Sequence, residues 1–173
     1  DSATDDDDVG DDDDVGDDDD VVGARSLVLA WSAAETGRAW DVDWADFDND
    51  GDLDLAVALV AADSHLRVYR NEGGSLTLFW SSGAIASCQG LDWGDVDGDG
   101  DLDLAVGCQQ AADEVWLNQE GSFVLSWSSA EVDWTEDVTL TDYDGDGDLD
   151  LATAVWEGPN RVYENQGGGL LTL

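Results

Sequence analysis

Read for its apolar positions, the chain breaks into short runs of six to eight residues divided by clusters of Asp, Gly, Ser and Asn. No stretch carries the three-and-four spacing of an amphipathic helix, so the pattern is that of strands and turns. Between residues 38 and 80 it predicts four of them, at 38–45, 53–60, 66–71 and 75–80. The second run, Leu53-Asp54-Leu55-Ala56-Val57-Ala58-Leu59, is apolar on both faces, as a strand between two layers would be. The third, Leu66-Arg67-Val68-Tyr69-Arg70, alternates and reads as more exposed.

The pattern then repeats. Trp31, Trp80 and Trp127, each followed by Ser, stand 49 and 47 residues apart; Asp46, Asp95 and Asp142 keep the same intervals, and Asn71, Asn118 and Asn165 are spaced by 47. Four strands in such a period is the size of a propeller blade. The predicted fold is therefore all-β: three four-stranded propeller-type blades, forming an incomplete or open propeller or part of a larger array or assembly. The expected organisation is an Asp-rich low-complexity tail at 1–23, a lone outer-type strand and linker at 24–37, and repeats at 38–80, 81–127 and 128–173. The lone strand, Ser26-Leu27-Val28-Leu29-Ala30-Trp31-Ser32, copies the fourth strand of a repeat, and Gly169-Leu170-Leu171-Thr172-Leu173 begins another copy. A spare fourth strand implies either a segment of a longer array or a subunit that lends a strand to its neighbour.

Charge narrows the partners. Against 43 acidic residues stand five basic ones, all Arg, for a net charge of −38. Nucleic acid, which needs a cationic surface, is excluded as an expected partner. No apolar stretch is long enough to span a membrane, and the first residues lack the basic and apolar regions of a signal peptide, so the sequence reads as a mature chain or a segment. Thirteen of the carboxylates lie within residues 1–20, in a solvated like-charge block.

Three nine-residue loops hold five carboxylates apiece. They read Asp46-Phe47-Asp48-Asn49-Asp50-Gly51-Asp52-Leu53-Asp54, Asp95-Val96-Asp97-Gly98-Asp99-Gly100-Asp101-Leu102-Asp103 and Asp142-Tyr143-Asp144-Gly145-Asp146-Gly147-Asp148-Leu149-Asp150. Calcium takes six to eight hard oxygens, and alternating aspartates on a curling chain can supply them. The first, third and fifth residues are expected to point inward, Gly51, Gly100 and Gly147 to take a positive φ, the seventh to offer its carbonyl and the ninth to close the shell. Asp52, Asp101 and Asp148 would add charge without direct ligation, and Leu53, Leu102 and Leu149 would plug the loops into the core. About three calcium ions per chain are expected; magnesium, which keeps its waters, suits such a cage less. A plain Asp-Gly hairpin explains one turn but not the aligned aspartates. An EF-hand would need Glu at its twelfth position, where Val57, Val106 and Thr153 stand.

Through these loops, each followed by a Leu-Ala pair, the chain resembles the FG-GAP and VCBS-type repeats of integrin alpha-subunit propellers and of many bacterial secreted proteins. Val57-Ala58-Leu59 and Val106-Gly107-Cys108 fall where the family's Gly-Ala-Pro signature would, which places the resemblance nearer the bacterial type. It implies calcium-bearing blades in an extracellular adhesion or binding module.

Cys88 and Cys108 are symmetric about Gly98, so a hairpin sets them opposite one another to within a residue; a cross-strand disulfide is expected if the protein is secreted, and two buried thiols otherwise. Of nine tryptophans, the recurring Trp31, Trp80 and Trp127 read as packing residues, whereas Trp40, Trp134 and Trp156 recur nowhere and are better surface candidates. His65 is the single histidine and reads as a turn residue. No catalytic constellation is repeated, so the chain reads as non-enzymatic. The function expected is that of an extracellular structural or adhesive protein, self-associating or bound to an extracellular protein or glycan, with a carbohydrate-binding or accessory module of a larger secreted enzyme as the alternative.

Overall fold

The computed structural model describes residues 27–34, 37–60, 66–83 and 87–173. The Asp-rich tail at 1–23 and His65 lie outside the described residues. Among the described residues there are twelve strands and no helix, hence none long and apolar enough to cross a membrane.

By their contacts, the described residues 27–30 fall in a unit separate from Trp31–Leu173. Of these residues, Leu27, Val28 and Leu29 are exposed. No strand is assigned over residues 27–34, where the fourth-strand pattern falls.

The unit Trp31–Leu173 contains three antiparallel meanders. The first runs through β1 (Arg38–Ala45), β2 (Asp54–Val60), β3 (Leu66–Asn71) and β4 (Leu76–Ser81). The next comprises β5 (Ser87–Gly94), β6 (Asp103–Ala111), β7 (Glu114–Gln119) and β8 (Ser122–Ser128). The last comprises β9 (Asp133–Thr141), β10 (Asp150–Val155), β11 (Arg161–Asn165) and β12 (Leu171–Thr172). β1–β4 form one sheet in sequence order, while the other two meanders merge into an eight-stranded curled sheet because β6 also pairs with β9 through Gln109↔Trp134 and Ala111↔Asp133. The architecture is that of an open, propeller-like all-β fold.

Each inner hairpin carries a bulge at the same place. The register slips between Ala39 and Asp41, between Cys88 and Gly90, and between Ala154 and Val155 on β10, opposite Asp137 and Thr135. A second slip falls at Val68/Tyr69 and at Val115/Trp116, opposite Phe79 and Ser126 on the outer strands. A bulge adds twist and re-aims the side chain that follows. Here that residue is Trp80 or Trp127.

Packing is between repeats. Every repeat has a leading face toward the repeat before it and a trailing face toward the repeat after it. Phe47, Ala58, Leu66 and Val68 from the trailing face of the first meet Leu91, Leu104 and Val106 from the leading face of the second. Val96, Ala105, Val115 and Leu117 meet Val138, Leu151 and Tyr163 likewise. The central strands are apolar on both faces because each separates two such layers. The third strand is less exposed than its alternation predicts: Leu66, Val68 and Tyr69 are buried, and exposure falls on the fourth, where Thr77, Leu78 and Phe79 face solvent. The covering group is the recurrent Trp. Trp31 meets Tyr69 edge-on at 5.2 Å, Trp80 meets Trp116 at 5.3 Å, and Trp127 meets Tyr163 at 4.9 Å. Trp31 Nε1 donates to Leu76 O (3.1 Å) and Trp127 Nε1 to Leu171 O (2.9 Å).

Between the second and third repeats the approach is closer still. A Cβ on Gly90 would lie 2.5 Å from Asp137 Cα, and one on Gly107 would lie 2.6 Å from the Thr135 methyl. Cys88 and Cys108 pair in register and are joined as a disulfide within the layer between the first two repeats.

Candidate metal-binding loops

Each Asp loop joins the first strand of a repeat to the second, and its conformation follows from two left-handed residues. Gly51, Gly100 and Gly147 have φ of 96°, 99° and 101°, as the spacing predicts. The fourth position is left-handed as well, with Asn49 at 59°, Gly98 at 77° and Gly145 at 84°. Asn and Gly are the residues that tolerate this region, so the choice of those two types at one position was the sequence signal for it.

The double turn draws the first, third and fifth aspartates together. One oxygen each from Asp46, Asp48 and Asp50 falls within 4.8 Å of the others, and the same holds for Asp95, Asp97 and Asp99 and for Asp142, Asp144 and Asp146. Backbone N–H groups hold the carboxylates in place. The sixth residue donates to the first, from Gly51 to Asp46 (3.0 Å), Gly100 to Asp95 (3.0 Å) and Gly147 to Asp142 (3.2 Å). The seventh donates to the fifth, from Asp52 to Asp50, Asp101 to Asp99 and Asp148 to Asp146. Two oxygens of the gathered sets, Asp48 Oδ1 and Asp95 Oδ1, are buried with no hydrogen-bond partner. Burying a carboxylate oxygen without a donor is costly, and a cation in the cluster removes the cost. The residues present therefore fit a hard divalent ion.

The ninth aspartates stand apart from the gathered sets. Asp54, Asp103 and Asp150 are buried, and each bridges its loop to the third strand: Asp103 accepts from Val96 N–H (2.8 Å) and Asn118 N–H (2.8 Å). Asp54 and Asp150 do the same with Phe47 and Asn71, and with Tyr143 and Asn165. Burial pushes the Asp103 carboxyl up to about 6, against the opposing pull of those two donors. Asp97 is raised too, by burial first and by the Asp99 charge second. Of the seventh residues, Asp52 accepts from Gly73 N–H (2.8 Å).

The third-strand asparagines, which the repeat marks only as landmarks, prove to be latches. Asn118 Nδ2 donates to Phe47 O (3.2 Å) and Asn165 Nδ2 to Val96 O (2.8 Å), each reaching the loop of the repeat before it. The eighth residue corrects an expectation. Leu102 packs against the core layer, whereas Leu53 is exposed, because this position is covered by the preceding repeat and the first repeat has none.

The loops differ in charge. Arg70 Nε lies 3.3 Å from Asp48 and supplies the first loop with a cation of its own. The third has Glu164 nearby instead, which heads the charges raising Tyr143. Its three gathered aspartates are all exposed, whereas in the other two loops the first and third are partly buried and only the fifth is exposed.

The FG-GAP-like repeat family matches the chain twice, over residues 58–106 and 95–153, and the two overlapping matches together span more than half of it. Each runs through an Asp loop into the strand after it, whereas the loop at 46–54 precedes both. No curated protein matches the chain.

Proposed function

The chain belongs to the FG-GAP-like repeat family, and from that premise we propose that it is an extracellular, calcium-stabilised module of three propeller-type blades that works by holding shape and contacting partners, further copies of itself included. The family is in general one of non-catalytic structural modules, and the reading here is of a binding and assembly protein rather than an enzyme.

The observation that carries the proposal is the gathering of three carboxylates in each of three loops, with Asp48 Oδ1 and Asp95 Oδ1 buried and unpartnered. Asp46, Asp48 and Asp50, and their counterparts in the other loops, would hold the ion; the seventh carbonyl and the ninth side chain are the expected remainder of the shell. Calcium bound there would neutralise the mutual repulsion of the carboxylates. The rest falls to the chain: backbone N–H groups orient the acids, the ninth aspartate ties loop to strand, and asparagine latches carry the fixed loop to the next repeat. Millimolar calcium outside the cell keeps sites of this class filled, and the Cys88–Cys108 disulfide fits the same compartment.

Titration calorimetry paired with thermal melting, first in chelator and then in excess calcium, tests the proposal. About three ions per chain and a marked rise in melting temperature are expected. No heat of binding and an unchanged melt would reduce the loops to acidic turns.

One observation favours a second reading. The exposed Trp134 and Trp156 line a cleft with Glu157, and Trp156 N–H donates to Trp134 O (2.7 Å). Two exposed indoles beside a carboxylate suit stacking on a sugar. Oligosaccharides that quench tryptophan fluorescence in the native chain but not after Trp134→Ala would establish it; a glycan screen without hits would remove it.

A further inference from the structure

The repeats bury one another, so equivalent positions ought to be equally buried, and at the two ends of the array they are not. On the trailing side, Phe47 and Val96 are each 1% exposed but their counterpart Tyr143 is 55% exposed; Val68 and Val115 are fully buried but Val162 is 42% exposed. On the leading side, Leu91 and Val138 are 5% and 4% exposed while their counterpart Val42 is 52% exposed. Trp44 and Leu53 stand open beside Val42.

The two open faces have the chemistry of one interface already present in the chain. On its trailing face the first repeat offers Asp41, Phe47, Ala58 and Val68, and the third repeat offers Asp137, Tyr143, Ala154 and Val162 at the same four positions. On its leading face the second repeat receives them with Leu91, Trp93 and Leu102, and the first repeat carries Val42, Trp44 and Leu53 there. Between the first and second repeats these residues make specific contacts. Phe47 stacks on Trp93 at 6.1 Å and 8° between planes, Leu91 N–H donates to Asp41 (2.9 Å), and Asn118 reaches Phe47 O. Tyr143 would meet Trp44 in the first of these and Asn71 would meet Tyr143 O in the third; the second has no equivalent, because Val42 N–H donates to its own Asp41 (2.9 Å). Asp137, Ala154 and Val162 line an open cleft of about 350 Å³, where a leading face is received elsewhere. The wedge that goes with a leading face is in place as well, since Trp31 covers Tyr69.

We propose that the trailing face of the third repeat is the docking surface for the leading face of the first repeat of a second copy of this chain. The contact is head-to-tail and joins unlike surfaces, so each copy keeps one face free for another. It rests on the self-association contained in the proposed function and assigns the surface that carries it, independently of strand lending by residues 27–32.

Sedimentation equilibrium of the full chain in calcium and about 0.15 M salt, which screens the acidic surfaces, tests the assignment with two variants. Trp44→Glu spoils the leading face, and Val162→Glu, outside the Asp loops, spoils the trailing face. The native chain is expected to show masses in steps of 18.4 kDa that grow with concentration. Either variant alone should associate at least tenfold more weakly, and the two mixed should form a 1:1 dimer through their intact faces. Thermal melts in calcium identify a variant that has merely failed to fold, and Trp44→Ser and Val162→Ser then replace it. A monomeric native chain overturns the proposal, as does a mixture that stays monomeric. Oligomers that persist in both variants overturn it too and point to strand lending. Calorimetric calcium binding on the same samples separates failure of this surface from failure of the metal reading.

Discussion

Asp113, at the β6–β7 turn, shows how a buried acid is retained. It accepts from Cys108 N–H (3.0 Å) and from the Thr135 hydroxyl (3.1 Å), so one carboxylate ties the second repeat's hairpin to the first strand of the third. Burial raises its pKa above the ordinary value near 4 and outweighs those two donors. The folded chain then holds this proton more tightly than the unfolded one. Stability from this group falls as pH rises from the unfolded value to the raised folded value, and the full cost stands above the latter. In the third repeat Asn160 makes the first of these contacts without a charge, accepting from Val155 N–H (2.9 Å). Asp113→Asn should therefore leave the fold intact and flatten the dependence of melting temperature on pH just above 4. Asp113→Ala, which strands the buried donors, should cost about 1–3 kcal/mol in denaturant unfolding. A steeper profile for the Asn variant, or an Ala variant as stable as the parent, would refute this account. At this scale the gathering of the first, third and fifth aspartates was legible because their spacing is the signal. The latches and the exposure of Leu53 were not, because both depend on which repeat stands in front, and that is a property of stacking.

The β5–β6 hairpin is closed by the disulfide across a sequence separation of 20. Removing it as Cys88→Ala with Cys108→Ala should lower stability by about 3 kcal/mol, most of it through the unfolded chain. The same double variant should be insensitive to reductant, which is the control. The Trp wedges offer a contrast within one residue type. Trp127→Ala loses an edge-on ring contact and a partly buried indole donor, and should cost roughly 3 kcal/mol, whereas Trp134→Ala on the open rim should change stability by under about 0.5 kcal/mol. Equal costs would mean that recurrence is no guide to packing. The strands themselves were readable to within a residue at most ends, since alternation and turn residues mark them locally. The exposure of the third strand was misjudged because its covering indole comes from the outer strand of another repeat, far away in sequence. The bulges, each a single unpaired residue, leave no mark in an alternating pattern.

For the whole molecule the dominant quantity is charge. Each filled loop should add about 2.7 kcal/mol when calcium stands a hundredfold above its dissociation constant, so three loops should raise the melting temperature by on the order of 15–25 °C over chelated protein. Sodium chloride at equal ionic strength, which only screens, should recover a small part of that. A comparable rise from salt alone would make the loops nonspecific. The array of repeats was visible in the sequence through its period. The merging of two meanders through β6 and β9 was not, because it turns on two residue pairs at the rim.

The close approach at Gly90 and Gly107 makes the order of the repeats a matter of grammar. Where the second repeat leaves room for Asp137 and Thr135 by having no side chain, the first and third present Asp41 with Ala58, and Asp137 with Ala154. A chain rewritten with the third repeat straight after the first would lose that close approach, and the junction would have to seat the Asp41 carboxylate, as the first junction does where Asp41 accepts from Leu91 N–H. The three units are thus words with fixed neighbours, and divergence between otherwise equivalent positions writes an address as well as a variation.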